Sequence, residues 1–74
     1  MSSPTQPPVW RKPTGTPVSC VEKIKVLNDN YRELAQLAQD AFEDALLMEC
    51  DEEQIRRALH ELVDSLRNPY AGRK

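Results

Sequence analysis

Apolar residues recur along the middle of this chain at gaps alternating between three and four: Ile24, Leu27, Tyr31, Leu34, Ala38, Ala41, Ala45 and Met48. Only an α-helix brings such positions onto one face, and an apolar face of this kind is stable only when another helix covers it. Upstream, Ser19-Cys20-Val21-Glu22 has the spacing of a capping box, in which the Ser19 hydroxyl accepts from the Glu22 amide and the Glu22 carboxylate reaches back. Strong helix formers continue as far as Met48, so the pattern predicts a long helix over about 19–49. Asn28-Asp29-Asn30 is its weak point, because short polar side chains compete for nearby backbone hydrogen bonds. A fresh start at Asn30 would give a three-helix unit broken at 28–30. The register carried across the site by Leu27 and Tyr31 favours the continuous helix.

A second stop comes at Glu49-Cys50-Asp51-Glu52. Asp51 and Gln54 have N-cap spacing, and Glu52 and Glu53 then fall in a first turn, where the positive helix end favours acids. A shorter helix over about 52–67 follows. Its stripe is Ile55, Leu59, Leu62 and Leu66, widened by Ala58 and Val63, and Asn68-Pro69 ends it. A connection of two or three residues makes the pair antiparallel, so the fold class is all-α: a helical hairpin in residues 19–68.

The arms are unequal. At ~1.5 Å per residue the first spans ~45 Å and the second ~24 Å. The second helix can cover roughly Leu34 to Met48, which leaves Val21, Ile24, Leu27 and Tyr31 overhanging. Each such side chain left in water forgoes ~1.5–3 kcal/mol. The expectation is therefore a dimer forming a four-helix bundle, or a protein partner seated on Val21, Ile24, Leu27 and Tyr31. The apolar side positions Leu46 and Leu47 near the turn fit burial on two sides.

Residues 1–18 hold five of the six prolines and read as an extended or disordered arm, and residues 69–74 as a frayed tail. Trp10 is the odd member of the arm. An indole gains nothing in a solvated tail, so Trp10 is either a docking anchor for a partner or folds back on its own chain. Pro4-Thr5-Gln6-Pro7 matches PxxP without a flanking base.

Charge and chemistry narrow the functional classes. Residues 40–53 contain Asp40, Glu43, Asp44, Glu49, Asp51, Glu52 and Glu53 with no basic residue, within a net charge of −2. Such a zone repels phosphate and attracts basic partners. Asp40, Glu43 and Asp44 share a helical face but lack the Glu-x-x-His pairing of di-metal bundles, because His60, the single histidine, has Arg57 three residues before it. Two cysteines thirty residues apart make neither a disulfide framework nor a zinc motif. Gly15 and Gly72 form no phosphate loop. No catalytic, metal or cofactor site is expected. Neither a secretory start nor a membrane span is legible, and a cytoplasmic protein with reduced thiols is the expectation. The reading is a small non-enzymatic interaction module, acting through the overhanging stripe, the acidic turn or Trp10. The alternative is a nucleic-acid-associated regulator using Arg56 and Arg57, which the acidic preceding helix disfavours.

Overall fold

The structure, a computed structural model, describes residues 6–72. Among these residues the fold is an all-α helical hairpin of two helices, α1 (Val21–Leu47) and α2 (Glu52–Asp64). The chain divides into two compact units, Met1–Ala41 and Phe42–Lys74. Helix α1 is unbroken through Asn28-Asp29-Asn30. The reason lies in where the polar side chains are engaged. The Lys25 ammonium holds Asp29 at 2.7 Å, and the Asn28 carboxamide oxygen accepts from the Trp10 indole at 2.7 Å. Neither side chain is left to compete with the helical backbone bonds.

In the first unit, residues 10–18 form a small β-hairpin loop rather than a featureless arm. The Lys12 amide donates to the Thr16 carbonyl, and the Val18 amide to the Trp10 carbonyl, both at 2.8 Å. Between them Arg11 and Pro17 pair as an isolated bridge. These two occupy a non-hydrogen-bonded pair of the antiparallel pattern, so the N–H that Pro17 lacks is not needed. The loop at the tip is Pro13-Thr14-Gly15. Pro13 sits at the second position of a β-turn closed by the Gly15 amide on the Lys12 carbonyl, 2.8 Å. Gly15 then adopts φ +95°, the left-handed residue that a three-residue hairpin loop requires. The Arg11 guanidinium caps the Gly15 carbonyl at 2.9 Å.

This loop also moves the start of α1. Ser19 was the expected cap, but the first helical bond runs from the Ile24 amide to the Cys20 carbonyl, making Cys20 the capping residue. Val18 is still held to Trp10, so the chain is not free to turn into the helix until one residue later than the capping-box pattern implies.

In the second unit, α1 ends two residues before the expected limit. The Cys50 amide bonds to the Ala45 carbonyl and the Glu49 amide to the Leu46 carbonyl, each at 3.0 Å. This reciprocal pair is the Schellman closure, with Glu49 as its left-handed residue at φ +69°. Asp51 caps α2 as its spacing predicts, accepting from the Gln54 amide at 2.8 Å. The guanidinium of Arg56, tied to Glu52 at 3.1 Å, lies 4.7 Å over the Phe42 ring and joins α2 to the last turns of α1. Such a contact is worth ~0.5–1 kcal/mol at an exposed site.

Helix α2 stops three residues short of Arg67. The Ser65 hydroxyl donates to the Leu62 carbonyl at 2.7 Å, and the Ser65 amide is shared between Glu61 and Leu62. That tightened turn ends the helix before Asn68-Pro69 does. Asn68 then opens a turn of its own, its side chain accepting from the Tyr70 amide at 2.8 Å. Of the expected tail, Arg73 and Lys74 lie outside the described residues, as do Met1 to Thr5, which include half of the PxxP match.

The left-handed Glu49 makes a clean test of this turn. A non-glycine residue there costs about 1 kcal/mol or more, only partly offset by the extra unfolded-state freedom of glycine. Glu49→Gly should therefore raise stability by about 0.5–1 kcal/mol in a denaturant titration. A neutral or destabilising result would contradict the closure described.

Candidate functional site

No catalytic constellation emerges from the described residues. No three His, Cys, Asp or Glu side chains among them come together as a metal-binding group. Asp40 is engaged by the Gln36 amide at 2.9 Å on the exposed side of α1. His60 is exposed on α2 between neighbours of its own helix. No helix among the described residues is long and apolar enough to cross a membrane. What remains is surface, and the surface is unusual. No described side chain is buried, polar or apolar.

Which face of α1 is covered differs from the expected stripe. The half-buried positions are Ile24, Leu27, Asn28, Asp29, Tyr31, Ala35, Phe42 and Ala45. Leu34, Ala38, Ala41 and Met48 belong to the sequence stripe but are exposed. Asn28, Ala35 and Phe42 take their place because the partners of α1 select them. Trp10 needs an acceptor for its indole N–H and finds Asn28, while Arg56 needs a ring face and finds Phe42.

Of the two roles open to Trp10, the structure adopts the intrachain one. Its ring meets Tyr31 edge-on, with centroids 6.0 Å apart and planes at 72°. Such a pair contributes ~0.5–1.5 kcal/mol beyond the area it hides, and the bond to Asn28 adds a similar amount. Tyr31, expected to overhang, thus has a partner within its own chain. Of the other expected partner-binding positions, Ile24 and Leu27 are half-buried, whereas Val21 is 78% exposed. The signal that could have found this was Lys12-Pro13-Thr14-Gly15, a turn sequence that carries the chain back on itself beside an indole.

The largest uncovered apolar group in the first unit lies one strip around α1. Leu34 and Leu37 are 65% and 66% exposed, and Ala38 and Ala41 are exposed beside them. Their spacing, i, i+3, i+4 and i+7, makes one continuous ridge. Arg56 and Arg57, the alternative recognition pair, are exposed on α2, but Arg56 is committed to Glu52 and Phe42.

Cys20 has its chemistry altered by position, as do Lys25, raised, and Asp29, lowered, by their mutual hydrogen bond and ion pair. At the head of α1 the Cys20 sulfur faces the Lys23 amide, whose hydrogen bond is the main cause holding the thiol below its ordinary value. Partial desolvation opposes this, while the Glu22 amide and the Lys23 charge add to it. A thiol lowered by the fold regains its ordinary value on unfolding. In Cys50→Ser protein, where Cys20 is the single thiol, the pH midpoint of thiolate ultraviolet absorbance should be lower in the native state than in guanidinium chloride. Equal midpoints would contradict capping of α1 by Cys20.

Comparison with protein-family models, with curated proteins and with solved structures finds no match to this chain.

Proposed function

We propose that this chain is a small non-enzymatic interaction module, an accessory subunit or regulator that works by offering an apolar helix face and an acidic turn to a protein partner. The observation that carries the reading is the absence of burial among the described residues, together with leucines exposed at helical spacing. A hairpin of this size that hides so little of itself gains stability and purpose together when another polypeptide covers it. The acidic zone from Asp40 to Glu53 supplies a charged rim that favours a basic partner surface. A cytoplasmic setting, with Cys20 and Cys50 as free thiols, belongs to the same reading.

The surface expected from the sequence was Val21, Ile24, Leu27, Tyr31 and Trp10. With Trp10 folded onto Tyr31 and Asn28, the proposal moves the binding face to Leu34, Leu37 and Ala41, with Val21 as a flanking contact. The nucleic-acid reading is weakened by the same kind of commitment, since Arg56 is held within its own hairpin.

Bait experiments separate these. Tagged wild-type protein returned to its native lysate should retain a defined polypeptide, and Leu34→Asp/Leu37→Asp should lose it. Leu47→Asp, on a different face of α1, should keep it. Equal retention by all three baits, or nothing retained by any, would contradict the reading. Salt-sensitive retention of nucleic acid that disappears with Arg56→Ala/Arg57→Ala would favour the alternative.

A further inference from the structure

We infer that the Trp10 loop, residues 10–18, is a lid on α1 that opens as one piece while the helix beneath it stays intact, uncovering the face of Ile24, Leu27 and Tyr31. This device lies wholly within the first unit and is independent of the Leu34–Leu37 ridge.

The destinations of the loop's hydrogen bonds are the first support. The Lys12, Gly15 and Val18 amides all donate to carbonyls of the loop itself. The Arg11 guanidinium does the same at Gly15, and the Thr14 and Thr16 hydroxyls pair with each other at 2.9 Å. Among the described residues a single hydrogen bond crosses from the loop to α1, from the Trp10 indole to Asn28. The loop therefore carries its own shape with it, and its departure breaks that one bond. The edge-on contact with Tyr31 separates in the same step. Local opening belongs to segments of this kind, whose backbone bonds close on themselves and whose ties to the rest are few.

Neither end of the loop is fastened by a hydrogen bond to α1. Ser19, between the last loop bond at Val18 and the Cys20 cap, is exposed and makes none with any described residue. Upstream, Gln6 to Val9 make none to α1, and Val9 is 65% exposed. Helix α1 draws on other interactions. Its backbone bonds and the Lys25–Asp29 pair are made within the helix, and neither uses the loop.

Asn28 and Tyr31 share a helical face with Ile24 and Leu27, and all four are half-buried. With the lid closed, the chain's own indole occupies that face. With it open, Tyr31 joins its apolar neighbours in water and Trp10 is presented on a preformed turn. The surface of Ile24, Leu27, Tyr31 and Trp10 expected from the sequence is thus offered in one state of the lid and withheld in the other.

The experiment uses the full-length protein. Trp10 is its single tryptophan, so fluorescence follows the lid alone, while far-ultraviolet circular dichroism follows the helices. In a urea titration of wild type, the red shift of Trp10 emission and the loss of its protection from acrylamide should come at lower urea than the loss of helical signal. Asn28→Ala removes the acceptor and puts a better helix former in its place. It should expose Trp10 without urea, with quenching equal to that of the wild-type chain in concentrated urea, while helical signal is kept or raised. Asn30→Ala, at an exposed position of the same helix, should keep or raise the helical signal and leave Trp10 shielded. Coincident loss of both signals in wild type would overturn the lid, because loop and helix would then unfold together. So would a Trp10 that stays shielded in Asn28→Ala, or a helix lost along with its exposure.

Discussion

A helix that carries apolar side chains around more than one strip needs more cover than a single short neighbour can give, and that constraint governs this chain. Helix α1 has 27 residues and α2 has 13. Apolar groups on α1 run along one line through Ile24, Tyr31, Ala35 and Phe42 and along an adjacent line through Leu34, Leu37 and Ala41. The first line is served from within the chain, by the Trp10 loop in one unit and by α2 in the other. The second is left open. Hydrophobic burial is the main favourable term in folding, so a chain that withholds a whole ridge from burial has correspondingly less to hold it folded.

The Trp10 loop shows how a polar contact can choose a face. An indole buries a large ring only where its N–H finds an acceptor. Asn28 supplies that acceptor from a helical position that apolar counting passes over. Once Trp10 is fixed there, Tyr31 and Ala35 follow on the same side of the helix. Leu34, one residue away, is turned toward solvent. The asparagine that looked like a helix breaker is thus the residue that orients α1.

Legibility in the sequence followed the same division. Local signals were readable: the helical period, the Asp51 cap with Gln54 and the short connection all rest on local chemistry. Nonlocal choices were not. Heptad counting treats Leu27 and Asn28 as alternatives and takes the apolar one, yet both are half-buried, and the acceptor at Asn28 is what Trp10 uses. The shift of the cap from Ser19 to Cys20 is likewise decided by a bond between Val18 and Trp10, eight residues apart. The five-proline arm was read from its average composition. Its structure comes from the order Lys12-Pro13-Thr14-Gly15, which a composition count discards.

The account stands on one quantity, the small share of its own apolar surface that a lone chain can hide. Urea unfolding of the purified wild-type protein, followed by circular dichroism, measures its consequence most directly. The slope of unfolding free energy against urea should be small for a chain of this length, because little surface is newly exposed on unfolding. A steep, cooperative transition with the slope of a well-packed domain of this length would contradict the account.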